Sequence, residues 1–328
     1  MNWIDLAVIE GRCNYVEDAI EVYWPGTSIT FNIKGESLKL QMSDDVGESE
    51  YLVLVNGIED HQFIVDKDTT YTVWKSSKVE EATITLHRLN DFSKGTTKIT
   101  LAELNGDLLE GYRKQKVITY YGNSITVGYA NKDTTGNDNP LYTNNYYAYS
   151  SLTSRRLSAE QFVIARSGIG VMASWGDYIM PQIYNRVNPK DATTKWDFNK
   201  DKTNLVVINL LQNDAWLRNY PDLEQSLKWF GRQQVTDQDV VKAYQNFILN
   251  IRKSHPNASI ICVLGCMDIV KEEYNYKSIV DQAVSEIKDE RIYRLDFPYL
   301  ASNAHPDIQM HKEMSDILVD YIKEHQLL

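Results

Sequence analysis

The sequence predicts a two-part α/β chain, in which an all-β sandwich precedes a five-stranded parallel sheet flanked by helices. Two observations support this prediction. Up to about Gly111, short β-rich runs alternate with turn signals, whereas the rest of the chain alternates apolar runs with helical patterns. The 328 residues, 43% of them hydrophobic, are enough for two domains with their own cores.

The first part, residues 1–112, contains about eight short runs that favour strands. They are 20–24, 28–33, 37–42, 51–55, 62–65, 71–74, 82–86 and 98–101. Turn signals such as Pro25-Gly26, Lys34-Gly35 and Asn56-Gly57 separate them. This spacing predicts a β-sandwich of the jelly-roll type.

The second part, residues 113–328, has the pattern of a parallel sheet. Its apolar runs are 117–121, 162–166, 205–211, 260–264 and 292–295, and helical patterns occupy about 145–158, 177–186, 238–253, 275–288 and 308–325. Ligands bind beyond the carboxyl ends of the strands in such sheets, so functional residues are expected directly after each strand.

Composition excludes several classes of function. Lys and Arg number 34 against 45 Asp and Glu, a net charge of -11 that disfavours binding to nucleic acid. No apolar run approaches the roughly 20 residues of a membrane span. The N-terminus has no signal-peptide pattern, so we expect a cytoplasmic protein if Met1 is the natural start and a secreted one if a leader has been removed.

Ser124 follows the first strand of the second part. In Gly122-Asn123-Ser124, the glycine permits a tight exit and the serine begins a helix at the open edge of the sheet. A hydroxyl there is a candidate nucleophile, with helix N–H groups to stabilise an oxyanion. Ser124 acting only as a helix cap is the structural alternative.

Gly168 follows the second strand, where its backbone N–H can approach a ligand closely. Residues 168–173 also fit the G-x-G-x-x-A pattern of a dinucleotide loop, but such loops usually follow the first strand. The segment therefore has two interpretations, an oxyanion donor and a nucleotide site.

Asn213 and Asp214 follow the third strand. The Asn213 amide can donate to an oxyanion, while Asp214 can hold the loop; both can also be simple turn residues. Trp175 and Trp216 follow the second and third strands, where each can stack on a sugar or pack in the core.

His305 is the candidate base. Of the six histidines, only His305 lies on a loop at the open edge before a helix, whereas His311 falls inside that helix and is expected to be structural. A serine, a glycine, an asparagine and a histidine after four strands supply a nucleophile, oxyanion donors and a base. Ester hydrolysis needs this set.

These motifs resemble the SGNH, or GDSL-like, hydrolases, whose four blocks contain Ser, Gly, Asn and His in this order. Gly122 to Thr126 is similar to their G-D-S-I/L-T block, and His305-Pro306 to the end of their D-x-x-H-P block. The likeness covers about residues 114 to 328 and implies a flavodoxin-like hydrolase domain. Ser124, Gly168 and Asn213 then form the oxyanion hole.

The stretch from Gly11-Arg12 through residues 23–28 to Ile33-Lys34-Gly35 resembles the jelly roll of carbohydrate esterase family two, and Tyr147-Ala148-Tyr149 and residues 167–171 followed by Trp175 are also similar to that family. The whole chain thus resembles this family, which joins a jelly roll to such a domain. The resemblance implies removal of acetyl groups from mannan, glucomannan or xylan, or their oligosaccharides, often at the sugar 6-position. It implies no metal or organic cofactor.

The sequence departs from the hydrolase blocks at three places, and Ser302 matters most. Asn123 replaces an Asp, Leu211-Gln212 replaces a Gly-Thr pair, and Ser302 stands where the triad Asp is expected. Asp307 points into the next helix. We therefore expect a backbone carbonyl near Ser302 or Asn303 to orient His305 in a Ser–His dyad, as in members of the family that lack the Asp.

The missing Asp keeps one alternative from another class open, a carbohydrate-binding protein with a weakened site. A lipid or aryl esterase is the alternative within the esterases. The sequence makes no prediction of oligomeric state.

Overall fold

The computed structural model describes residues 2–200, 202–300 and 304–328. A four-residue helix, α1 (Trp3–Leu6), precedes an antiparallel sheet of eight strands in the described residues. These are β1 (Val8–Glu10), β2 (Cys13–Val16), β3 (Ala19–Val22), β4 (Ser28–Asp44), β5 (Ser49–Val55), β6 (Ile58–Val65), β7 (Thr69–Arg88) and β8 (Thr97–Leu109). The strand order is β2-β3-β8-β4-β7-β5-β6, and β1 pairs with β4.

Strands β4 and β7 are longer than the sequence predicts. The runs 28–33 and 37–42 belong to one strand, as do 71–74 and 82–86, so the predicted turn at Lys34-Gly35 is wrong. The ladder instead shifts register between Gly35 and Ser37. A Cβ on Gly35 would lie 2.2 Å from the Asn105 carbonyl oxygen, so this glycine permits close approach of two strands rather than a turn.

The second half contains the five predicted parallel strands. They are β9 (Lys116–Gly122), β10 (Ala159–Ala165), β11 (Leu205–Asn209), β12 (Ser259–Leu264) and β13 (Ile292–Asp296), in the order β10-β9-β11-β12-β13. Most residues of β9 to β12 are buried, and most of these are apolar, as a sheet covered on both faces requires.

Helices cover both faces of this sheet. They are α2 (Ser124–Val127), α3 (Tyr149–Arg156), α4 (Met180–Ile183), α5 (Gln212–Asn219), α6 (Glu224–Phe230), α7 (Asp237–Ser254), α8 (Tyr276–Ile287) and α9 (Ile308–Glu324). The pattern at 177–186 gives only the single turn α4, and α5 and α6 are additional to the predicted helices. No helix among the described residues has the length and apolar character to cross a bilayer.

Buried polar contacts join the two halves. The fully buried Arg12 donates to the Tyr184 carbonyl at 2.6 Å and to the Tyr121 hydroxyl at 3.1 Å. The Trp24 indole donates to the Val187 carbonyl at 2.9 Å. Separating the halves would break these hydrogen bonds, so they favour the joined arrangement.

Candidate active site

The open edge of the parallel sheet brings three loops to one place. Gly122, the last residue of β9, pairs with Ala165 of β10 and with Asn209 of β11. Ser124, Gly168 and Asn213 follow these paired positions by two, three and four residues. These three residues therefore follow neighbouring strands at the same edge of the sheet. This agrees with the prediction that functional residues lie beyond the carboxyl ends of the strands.

Ser124 is not the cap of its helix. The N-cap of α2 is Asn123, whose side-chain oxygen accepts the Ile125 N–H at 3.0 Å. Ser124 is 6% exposed at the start of the helix. Gly122 makes the turn possible, because a Cβ there would lie 1.9 Å from the Thr126 hydroxyl oxygen.

The His305 imidazole lies against Ser124. Its Nε2 is 2.9 Å from the serine Oγ, although the residues are 181 positions apart. The Tyr129 ring packs on the imidazole with centroids 4.7 Å apart. His311 instead is buried, its Nδ1 accepts the Tyr149 N–H at 3.1 Å, and burial lowers its pKa to about 3. This agrees with its expected structural role.

Asp138 is the third member of this chain of contacts. Its Oδ2 lies 2.9 Å from His305 Nδ1, and its Oδ1 accepts the His305 backbone N–H at 2.8 Å. The prediction of a dyad without a carboxylate is therefore wrong for the described residues. Ser302 and Asn303, whose carbonyls were expected to orient His305, lie outside the described residues.

Asp138 favours its ionised form, which suits the partner of a catalytic histidine. Burial raises the pKa of Asp138, but the hydrogen bonds from the His305 side chain and backbone outweigh it, and the net pKa is below its ordinary value. The residue has a φ of 55°, a conformation that Asp tolerates better than most residues.

Asp133 organises the loop that presents Asp138. Its Oδ1 accepts the Thr135 N–H at 2.8 Å and the Thr135 hydroxyl at 2.6 Å, and its Oδ2 accepts the Asn139 N–H at 2.9 Å. These bonds close the loop on both sides of Asp138. Asp307, by contrast, caps α9 by accepting the Met310 N–H at 2.9 Å, away from the imidazole.

The loop after β10 is held by Asp214. One oxygen of this buried carboxylate accepts the N–H groups of Val171, Met172 and Ala173 at 3.0, 2.6 and 2.9 Å. Burial raises the pKa of Asp214, and these hydrogen bonds oppose that effect. Because a protein carboxylate already occupies these donors, and β10 is an edge strand, the dinucleotide interpretation of residues 168–173 is wrong.

Asn213 joins the same loop. Its side-chain nitrogen donates to the Ile169 carbonyl at 2.8 Å, which places the amide beside the Gly168 turn. Gly168 has a φ of 80°, and a Cβ there would lie 3.0 Å from the Trp175 Cβ. Only glycine fits this backbone without strain.

The two tryptophans differ in exposure. Trp175 is 42% exposed, and its backbone N–H donates to the Gly168 carbonyl at 2.9 Å. Trp216 is half-buried, and its indole donates to Asp268 at 3.3 Å. Trp175 thus offers a free ring face next to the Gly168 loop, whereas Trp216 packs against its neighbours.

Asp138 and Asp133 are the site residues that sequence reasoning missed. The available signal was a polar loop after the Ser124 helix, residues 131–139, containing two Asp and three Asn. Nothing in that composition specifies which carboxylate meets a histidine 167 positions away. No cluster of three or more His, Cys, Asp or Glu suited to a metal occurs in the described part of the chain.

Known proteins resemble the chain in sequence. The family model described as carbohydrate esterase 2 N-terminal matches residues 9–110. The chain is 27% identical over 316 residues to the cellulase/esterase CelE of Acetivibrio thermocellus, covering 92% of this chain but only 37% of that protein's length. It is 21% identical over 329 residues to an acetylxylan esterase / glucomannan deacetylase of Cellvibrio japonicus, covering 96% and 88%.

The fold is also similar to that of a solved relative. A family two carbohydrate esterase from Clostridium thermocellum, in complex with cellohexaose, superposes with a TM-score of 0.86 and 25% identity, covering 98% of this chain and 99% of that one. The predicted fold class, an all-β domain before a five-stranded α/β domain, is confirmed.

Proposed function

We propose that the chain is an SGNH-like member of carbohydrate esterase family two and that it is a serine esterase that removes acetyl groups from carbohydrate. One observation supports this most strongly. Ser124 Oγ, His305 Nε2, His305 Nδ1 and Asp138 Oδ2 form a continuous chain with 2.9 Å at each junction. This is the geometry of a nucleophile, its base and the group that orients the base.

The reaction uses this chain in two steps. His305 takes the Ser124 proton as Oγ attacks the acetyl carbonyl, and the ionised Asp138 stabilises the imidazolium that forms. The imidazolium returns the proton to the sugar oxygen, which leaves as an alcohol. Water, deprotonated by His305, then attacks the acetyl-serine. The imidazolium returns this proton to Ser124 Oγ as the bond from Oγ to the acetyl carbon breaks, and acetate leaves.

The oxyanion is stabilised from both neighbouring loops. The donors in this proposal are the Ser124 and Gly168 N–H groups and the second N–H of the Asn213 amide, whose first N–H bonds the Ile169 carbonyl. Fixed donors cost little reorganisation during the reaction, and removal of one should lower the rate about 10²- to 10³-fold.

The presence of Asp138 weakens the main rival, a binding protein that no longer turns over. That alternative was motivated by the absence of a carboxylate at Ser302. A carboxylate with a lowered pKa does contact His305, so the reason for expecting a weakened site no longer applies.

The substrate class follows from the relatives. The Cellvibrio japonicus protein is an acetylxylan esterase / glucomannan deacetylase, and the Clostridium thermocellum structure holds cellohexaose. We therefore propose acetylated xylan, mannan and glucomannan, or their oligosaccharides, as substrates. The exposed Trp175 ring is the proposed stacking surface for a sugar, and Trp216 is a weaker candidate because it is half-buried.

The test is acetate release from acetylated mannan and xylan oligosaccharides by the wild type, Ser124→Ala and Ser285→Ala. Ser285 is an exposed serine on α8 and serves as the matched control. We expect release by the wild type and the control, and none above background from Ser124→Ala.

Two other results would contradict the proposal. Sugar binding without acetate release by the wild type would favour the binding protein. A preference for long-chain acyl esters over acetylated sugars would favour the lipid or aryl esterase.

A further inference from the structure

We propose that Asp91, a residue of the N-terminal β half, is a positioning residue for the oxyanion loop, defined here as residues 167–175. This inference rests on the proposed esterase function. It assigns the β half an indirect part in the chemistry, through one carboxylate that accepts hydrogen bonds from both halves of the chain.

The two carboxylate oxygens of Asp91 accept hydrogen bonds from different parts of the chain. Its Oδ1 accepts the Ser93 N–H at 2.9 Å and the Ser93 hydroxyl at 2.5 Å, within its own loop. Its Oδ2 accepts the Ser167 N–H at 3.0 Å, across the boundary between the halves. Asp91 is 5% exposed, so water competes little for these bonds.

The loop containing Asp91 is itself fixed. The fully buried Arg88 donates to the carbonyls of Asp91 at 3.2 Å, Gly95 at 2.6 Å and Val22 at 2.7 Å. A guanidinium with several buried acceptors has one strongly preferred position. Asp91 therefore presents Oδ2 to Ser167 from a rigid support.

The bond to Ser167 bears on the next residue, Gly168. The peptide between them is planar, so the direction of the Gly168 N–H depends on the backbone dihedrals of Ser167. Asp214 fixes the loop further on, through the N–H groups of residues 171 to 173. Asp91 fixes the start of the loop. Gly168, the proposed oxyanion donor, lies in the short segment between the residues that the two carboxylates hold.

Loss of the Asp91 acceptor should therefore act on the transition state. Gly168 could rotate away from the oxyanion while the sugar-binding surface stays unchanged, so kcat falls and KM does not. Displacement of a catalytic donor by about 1 Å can cost about 10²-fold. We expect kcat of Asp91→Ala to fall about 10- to 100-fold.

The experiment compares Asp91→Ala, Asp91→Asn and the control Asn56→Ala. Asn56 accepts the Thr83 N–H at 2.9 Å inside the β half, so its loss destabilises that half without contacting the oxyanion loop. Asp91→Asn keeps one acceptor oxygen and should show an intermediate kcat. Thermal unfolding measures stability, and if Asp91→Ala does not fold, Asp91→Asn gives the answer.

A second readout is independent of the natural substrate. An alkyl fluorophosphonate forms a bond between Ser124 Oγ and phosphorus as the P–F bond breaks, fluoride leaves, and His305 takes the serine proton. The phosphoryl oxygen needs the same donors as an oxyanion. Intact mass over time should show slower labelling of Asp91→Ala than of the wild type and Asn56→Ala.

The outcomes separate the two proposals. Labelling of Asp91→Ala at the wild-type rate, or a kcat loss equal to that of Asn56→Ala, overturns the positioning role. A wild type that is labelled at Ser124 but releases no acetate contradicts the proposed substrates, while slower labelling of Asp91→Ala still supports the role. Absence of both activities in the wild type overturns both proposals.

Discussion

Asp138 binds His305 with both carboxylate oxygens, one on the backbone N–H and one beside Nδ1. The bond from the backbone N–H fixes the position of the His305 main chain. The contact with Nδ1 fixes the orientation of the imidazole ring and its tautomer. A single side chain from the loop after α2 thereby holds the base in position from outside the segment that contains it.

We expect Asp138→Asn to lower kcat about 10²- to 10⁴-fold with little change in KM. The amide cannot stabilise the imidazolium and can present an N–H to Nδ1, which favours the wrong tautomer. The measurement is steady-state acetate release. Asp191→Asn, in an exposed loop, is the control; equal activity of the two variants would remove Asp138 from the mechanism.

Asp133→Ala should give a smaller loss of kcat, about tenfold. It opens the loop that presents Asp138 without touching His305, so the carboxylate samples more positions. Asp191 makes the same two bonds to Thr193 at 2.8 and 2.7 Å, and Asp191→Ala is the matched control. Unchanged kcat in Asp133→Ala would mean that the loop keeps its shape without this residue.

Asp214→Ala should destabilise the fold by about 3 kcal/mol, because three N–H groups, two of them buried, lose their acceptor. Asp214→Asn, which keeps one oxygen, should lose less. Urea unfolding followed by circular dichroism gives the free energies of unfolding, with the exposed Asp222→Ala as control. Equal stability of Asp214→Ala and the control would show that the loop does not need this carboxylate.

Acid should destabilise the chain through His87, His255 and His311. Burial lowers the pKa of each from 6.5 to about 3. Between these values the unfolded chain binds more protons, so stability is fully present above about pH 6.5 and falls as the pH falls. Each histidine should cost on the order of 2 kcal/mol by pH 5.

Urea unfolding at pH 7 and pH 5 tests this dependence. His255→Gln should reduce the difference in the free energy of unfolding between the two pH values. An identical difference in His255→Gln and the wild type would remove His255 as a source of acid sensitivity.

Much of the fold could be predicted from the sequence because its signals are local. The five apolar runs match β9 to β13 within a few residues, since buried parallel strands need continuous apolar stretches. The N-terminal half was less regular. Gly35 has the composition of a turn, but its role depends on the approach of Asn105, which lies 70 positions away and which no local pattern reveals.

The residues of the candidate active site also differ in whether a local sequence signal identifies them. Ser124, Gly168, Asn213 and His305 could be chosen because each directly follows a strand or precedes a helix. Asp138 lies within a loop whose course is set by Asp133, and its partner comes from the far end of the chain. Its role therefore required the folded structure.

The distance along the chain between Ser124 and His305, 181 positions, also bears on how the molecule reaches its working state. Contacts between distant segments form late, because closing a long loop costs conformational entropy before the contacts it allows can stabilise the chain. Secondary structure can return on refolding while the nucleophile still lacks its base. Recovered esterase turnover is thus a stricter measure of correct refolding than a recovered circular dichroism spectrum.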